Sequence, residues 1–213
     1  MMETTVNKTN KLKKCYVNGN KCKKIFVNNV QVWGAAPDYL YKDGSVDGEY
    51  LKTMTGSNNW NKDGYGFRSS DFSISKNNNI YLGAGASAGY GSTYSCENKA
   101  VSNFMDLSGA THLRFVGEMK CQASYAYSQW TYIELIDNTG KTAQLYYQKQ
   151  TAPVHTGQEI TTNIDDNNAI GSLGLNLEQV KIQFRYGFEH NAPWGNWYGG
   201  GGELNISQIQ VTS

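Results

Sequence analysis

The stretch Glu189-His190-Asn191-Ala192-Pro193-Trp194-Gly195-Asn196-Trp197-Tyr198 gathers the side chains best suited to hold a ligand. Two indoles and a phenol offer flat faces, and His190, Asn191 and Asn196 place donors and acceptors beside them. Such rings stack on the apolar faces of sugars, while amides and imidazoles bond the hydroxyls at the rim. Glycines 199–202 follow at once, so the segment is too polar and glycine-rich to be core. His190, Asn191, Trp194, Asn196, Trp197 and Tyr198 are therefore the candidate ligand-binding residues, on a loop between the last two strands. The competing assignment has Trp194 and Trp197 plugging one end of the fold or packing on a neighbouring subunit.

No catalytic constellation emerges. His112, His155 and His190 stand far apart in unlike contexts, and no Gly-x-Ser-x-Gly marks a nucleophile. Residues 83–89 are rich in Gly but lack the Lys-Ser/Thr of a phosphate loop, and read as a flexible loop. Glu118 and Glu134 lie on candidate neighbouring strands, and a carboxylate pair could cleave a glycosidic bond. Solvent-facing strand positions explain them more simply. Asp165-Asp166-Asn167-Asn168 lacks the spaced acids of a calcium loop and reads as a surface turn. Cys15, Cys22, Cys96 and Cys121 form no CxxC and have no His nearby, so reduced thiols are the default. The chain is read as having no catalytic residues, no metal and no cofactor, and as not being an enzyme.

These residues need a scaffold, and the pattern supplies strands. Candidate strands fall near residues 65–75, 79–83, 100–106, 112–123, 129–137, 142–150, 158–163, 179–189 and 203–212. In Val180-Lys181-Ile182-Gln183-Phe184-Arg185-Tyr186 every second residue is apolar, the period of a half-buried strand. Leu113 and Phe115 likewise oppose Arg114. The apolar phase slips between Ile206 and Ile209, which predicts a bulge near Ser207. Asp137-Asn138-Thr139-Gly140 fits a hairpin turn. No window has helical periodicity. The fold class expected is all-β: an antiparallel β-sandwich behind a small N-terminal β meander.

Composition agrees. The 213 residues include 23 Gly and 15 Tyr but only 3 Pro, a strand-and-turn signature. With 13% aromatic residues the chain is too rich in core formers to be disordered. No apolar run approaches a membrane span. The N-terminal lysines are not followed by an apolar segment, so no signal peptide is expected and synthesis would be cytoplasmic. Residues 1–34 hold seven Lys and one Glu, whereas the rest carries more acids than bases. Lysines spaced between strand residues suit a solvated edge better than a nucleic-acid surface, and no nucleic-acid partner is expected.

Residues 13–22 and 23–32 repeat one pattern, Lys-Lys-apolar-aromatic-Val-Asn. Asn18-Gly19 is a strong hairpin signal, and Asn28-Asn29 a weaker one, so residues 13–33 read as a three-stranded meander. A two-residue turn at Asn18-Gly19 sets Val17 against Asn20, Tyr16 against Lys21 and Cys15 against Cys22. A disulfide is geometrically possible there; two small apolar thiols on one face are the favoured assignment. Gly34-Ala35-Ala36-Pro37 reads as a linker. The divisions expected are a flexible basic arm over 1–12, the repeat module over 13–34 and the sandwich over 38–213.

The repeat resembles a short module at the start of virion proteins from phages of Gram-positive bacteria, where it precedes β-sandwiches in tail, baseplate or fibre-associated proteins. The likeness covers about one sixth of the chain; Cys at 15 and 22 and Asn at 29 depart from it. Met105-Asp106-Leu107-Ser108-Gly109, Leu175-Asn176-Leu177 and Gly202-Glu203-Leu204-Asn205-Ile206 resemble strand-flanking motifs of galactose-binding-like jelly rolls. Together the likenesses imply a jelly-roll structural protein of the virion. Residues 1–34 would join other virion proteins or sister subunits of a homo-oligomer, with Tyr16, Ile25, Phe26, Val32 and Trp33 as candidate assembly residues. The exposed body would bind host-surface glycan. A stand-alone carbohydrate-binding module and a glycan-cleaving enzyme are the alternatives.

Overall fold

A computed structural model describes the backbone of residues 2–6, 12–17, 20–21, 24–27, 30–34, 39–46, 50–123, 127–152 and 159–212, with side chains in the segments from Tyr39 onward except Ala152. The described residues form strands and turns with no helix, as the period-2 pattern predicts.

Five short strands come first: β1 (Met2–Val6), β2 (Leu12–Val17), β3 (Asn20–Lys21), β4 (Lys24–Val27) and β5 (Val30–Gly34). The Asn18-Gly19 hairpin has the expected register, with Tyr16 opposite Lys21 and Val17 opposite Asn20. Two expectations change. Met2–Val6, inside the stretch read as an arm, is a strand paired with β2; Thr4, Thr5 and Val6 are good strand formers. Among the described residues the repeat is also not one meander: β4 and β5 pair with each other, while β1, β2 and β3 form a separate sheet. Cys22 and residues 35–38 lie outside the described residues, as do the side chains of Tyr16, Ile25, Phe26, Val32 and Trp33.

The body continues with β6 (Tyr39–Lys42), β7 (Ser45–Val46), β8 (Asn59–Asp63), β9 (Gly66–Lys76), β10 (Asn79–Gly89) and β11 (Thr93–Val101). It closes with β12 (His112–Ala123), β13 (Tyr127–Asp137), β14 (Thr142–Ala152), β15 (Ile160–Ala169), β16 (Val180–Asn191) and β17 (Trp197–Thr212). One sheet runs β15-β12-β17-β10-β9-β8, with β6 and β7 attached to β17; the other runs β11-β16-β13-β14. All the pairings are antiparallel. From β10 onward the chain shuttles between the sheets so that first and last strands meet, and this is the path of a jelly roll.

The core lies between the two sheets. Val180, Ile182, Phe184, Tyr186 and Phe188 project inward from β16 and are fully buried. They meet Leu113, Phe115 and Met119 of β12 and Leu204, Ile206 and Ile209 of β17. Phe115 and Phe184 pack edge to face with ring centres 6.2 Å apart. Each such side chain stabilises the fold by about 1.5–3 kcal/mol through burial. The slip in β17 is a bulge at Ser207: Val116 pairs with Gln208 and Gly117 with Ile206. The Ser207 hydroxyl bonds the Val116 carbonyl and its own carbonyl accepts the Asp43 amide.

Candidate functional site: a glycine-floored groove with an aromatic end

The site begins with the alternation of β10. Ile80, Leu82, Ala84, Ala86 and Ala88 face the core, so Tyr81, Gly83, Gly85, Ser87 and Gly89 face outward. Residues 83–89, expected as a loop, are therefore the second half of a central strand. Antiparallel partners share a face. From β17 that brings Glu203 beside Gly83, Gly201 beside Gly85, Gly199 beside Ser87 and Trp197 beside Gly89. From β9 it brings Asp71, Ser69 and Phe67. From β12 it brings Lys120 beside Glu203 and Gln122 beside Gly201.

Two neighbouring glycines, Gly85 and Gly201, leave the middle of this outer face low, while the Tyr81 phenol lies across the third, Gly83, and takes the space a Cβ there would fill. The result is an open groove of about 460 Å³, walled by Phe67, Asp71, Tyr81, Lys120, Glu159 and Glu203. Gly85 is closely packed: a Cβ there would sit 3.0 Å from the Ser69 Oγ and 3.3 Å from the Gly200 carbonyl.

The walls are polar and ordered. Lys120 pairs with Glu118 at 2.7 Å, which holds its ammonium above the usual lysine range. The Lys76 ammonium lies 3.4 Å over the Tyr81 ring and 3.9 Å from Asp71. Desolvation pulls Lys76 down, but Tyr81 and Asp71 more than offset it and its pKa is raised. The Asn205 amide donates to Glu203 at 2.8 Å.

Beyond Gly199 the same face ends in aromatic rings. Trp197 lies about 13 Å along β17 from Gly201, at the rise of an extended strand. Its indole meets Tyr90 edge on at 6.0 Å, and Tyr90 meets Tyr65 at 5.1 Å. Trp197, Tyr90 and Tyr65 stay 47%, 43% and 59% exposed, and Trp194 82%. Tyr90 and Gly91 take positive φ in the turn after β10, and the Trp194 indole lies against Gly91. Trp60 of β8, opposite Ser69, adds an exposed ring on the groove side.

The expected loop is therefore partly assembled. Trp197 joins the ring cluster, Trp194 lies against Gly91 next to Tyr90 in the chain, and Asn191 and Asn196 are exposed. Tyr198 alternates to the opposite face from Trp197, and its carbonyl accepts the Ser87 hydroxyl. His190 is placed elsewhere. It is an inward residue of β16, fully buried beside Phe188 at 6.4 Å, and burial lowers its pKa. Among the described residues neither of its ring nitrogens has a hydrogen-bond partner. His155 lies outside the described residues.

The other sequence candidates dissolve into the sheets. Glu118 is on β12 of one sheet and Glu134 on β13 of the other, both outward, so the thickness of the sandwich separates them. Glu134 accepts the Gln183 amide at 2.6 Å. Asp165 and Asp166, expected in a turn, belong to β15, and Asp165 forms a two-bonded pair with Arg114 at 2.7 Å. Burial pushes the Cys121 thiol up to about 11 and raises Cys96, so neither is a thiolate at neutral pH. Among the described residues no group of acids, histidines or cysteines could hold a metal ion, and no helix could cross a membrane.

No family model matches the sequence, and no curated protein matches it. Solved structures do. TmCBM61 in complex with beta-1,4-galactotriose is 8% identical, with 76% of this chain and 89% of that one aligned and a TM-score of 0.33. The family 11 carbohydrate-binding module of the cellulase Lic26A-Cel5E of Clostridium thermocellum is 11% identical over 85% of this chain and 96% of that one, TM-score 0.28. The enzymatically active domain of bacteriophage CBA120 tailspike protein 4 is 10% identical over 82% of this chain but 22% of that one, TM-score 0.36.

Proposed function

We propose that this chain is a structural protein of a phage particle whose jelly-roll body binds a glycan on the host surface without cleaving it. One observation carries the binding role: a single outer sheet face joins a glycine-floored groove to a cluster of exposed aromatic rings. Both features serve saccharides. Backbone left bare by glycine lets a pyranose ring approach closely, and Ser69, Gln122, Asp71 and Glu203 are placed to bond hydroxyls around it. Trp197 and Tyr90 supply stacking faces further along. Scattered exposed aromatics are ordinary on protein surfaces, whereas a contiguous set beside a groove marks a binding surface.

The virion role is supported by the repeat over residues 13–34 and its likeness to phage modules. Under this reading residues 1–34 attach the body to other virion proteins or sister subunits in a homo-oligomer. The test is sedimentation of the full chain and of a 38–213 truncation with host cell walls. Both should bind walls, only the full chain should assemble, and no reducing ends should be released. Wall binding lost with Ser69→Trp, which fills the groove, supports the site. Binding unaffected by Ser69→Trp and by Trp197→Ala rejects it. A full chain that stays monomeric favours a stand-alone binding module, and released reducing ends favour a glycan-cleaving enzyme.

A further inference from the structure

Resting on the groove as a saccharide site, we infer that its ligand is a glycan bearing free, protonated amino groups, such as a run of unacetylated hexosamine, and that anionic polymers are excluded. The groove supplies the shape; the distribution of its charges supplies the class. Asp71, Glu118, Glu159 and Glu203 stand on or beside the walls, against Lys76 and Lys120, with Lys62 further out on the same face across from Phe67. The two cations nearest the floor are already engaged. Lys120 is held by Glu118 at 2.7 Å, and Lys76 lies between Asp71 and the face of Tyr81. A phosphate, sulfate or uronate would have to compete with these carboxylates for either ammonium.

Two further carboxylates share these same cations: Lys120 attracts both Glu203 and Glu159, and Lys76 attracts Glu203. Glu203 is bonded by the Asn205 amide, and neither it nor Glu159 forms an ion pair among the described residues. Glu203 stands directly over the floor, between Gly83 on β10 and Lys120 on β12. A saccharide ring lying on Gly85 and Gly201, beside the Tyr81 phenol, brings its substituents within reach of that carboxylate. A hydroxyl there makes an ordinary hydrogen bond. An ammonium makes a charge-assisted one, roughly twice as strong, and relieves the excess negative charge. An acidic substituent meets like charge, and such juxtaposition rejects wrong partners.

The experiment titrates the full chain with three tetrasaccharides at pH 6 and low salt: tetraglucosamine, its fully N-acetylated counterpart and tetragalacturonate. The inference predicts that tetraglucosamine binds at least ten-fold tighter than the acetylated tetramer, with no measurable binding of the uronate. The preference should shrink to two- or three-fold in Glu203→Gln with Glu159→Gln, and fall as salt is raised. An acetylated or uronate tetramer that binds as tightly as tetraglucosamine overturns it, as does binding of none of the three. Ser69→Trp separates the two levels. If it abolishes binding of an acetylated tetramer that matched tetraglucosamine, the groove stands and only the charge inference falls. If Ser69→Trp changes no affinity, the groove itself is refuted. Matched melting temperatures show that the variants are folded.

Discussion

Trp197 stands directly across the ladder from Gly89, and its indole covers the space a Cβ on Gly89 would fill, 2.9 Å from that position. The glycine lets the ring lie down on the sheet, where Tyr90 then meets it edge on. Gly89→Val should therefore lift the indole and weaken glycan binding about ten-fold (~1.4 kcal/mol) while leaving the rest of the sheet in place. Titration of the variant checks this; unchanged affinity would remove Trp197 from the site.

Trp194→Ala combined with Trp197→Ala should move the melting temperature by only a few degrees, because Trp194 is largely in water and Trp197 is half exposed. Binding to host walls should fall well beyond ten-fold. Phe184→Ala, in the closed core, should instead cost about 3–5 kcal/mol. Calorimetry of the three proteins decides. A double tryptophan variant that unfolds as early as Phe184→Ala would mean that these rings hold the fold together.

His190 makes the fold sensitive to acid. Its folded pKa lies below 6.5 because burial disfavours the charged ring. The unfolded chain thus takes up a proton below about 6.5 more readily than the folded chain does. The contribution of neutral His190 is present above that pH and is lost as pH falls. His190→Phe should flatten the decline in urea midpoint between pH 7.5 and 5. Equal slopes in both proteins would contradict the assignment.

Asp137 acts in the same direction at lower pH. Its carboxylate accepts bonds from the Thr139 hydroxyl and amide and the Lys141 amide, and from the Asn176 amide, tying the β13–β14 turn to the segment before β16. Those bonds, the Thr139 hydroxyl foremost, lower its pKa to about 2. Its stabilising effect is complete above the unfolded value of about 3.9 and disappears as pH drops toward 2. Asp137→Ala should lower the melting temperature at pH 7 and leave little difference at pH 2. A constant difference across that range would show that the charge is not what matters.

Tyr186 carries a buried polar seam. Its hydroxyl donates to the Gln129 side-chain oxygen at 2.9 Å, and the Gln129 amide donates to Gln150 at 2.7 Å, which also accepts from Thr162. The seam links the β14 edge of one sheet to the β15 edge of the other. Tyr186→Phe should cost about 1 kcal/mol in urea unfolding, the worth of one hydrogen bond. A neutral effect would show that Gln129 is satisfied without it.

Strands were legible where one face is buried. Val180 to Tyr186 and Leu113 to Phe115 alternate because the core needs every second residue, and the Ser207 bulge left its mark as a slipped apolar phase. The site was half legible. Trp194 and Trp197 announced themselves as aromatics in a polar, glycine-rich setting. The groove did not, because a floor made of missing side chains looks like a flexible loop. The signal was present all the same: Gly83-Ala84-Gly85-Ala86 alternates with period two, alanine to the core and glycine outward. His190 misled for the converse reason, since a polar ring buried for packing cannot be told by type from one facing a ligand.

The most direct test is a crystal structure of the protein grown with an oligosaccharide released from host cell walls. The account predicts sugar density along the outer face of β10 and β17, from Glu203 across Gly201 to Trp197. Density on the opposite sheet, over Tyr132 and Tyr147, or a face left empty while the sugar binds elsewhere, would contradict it.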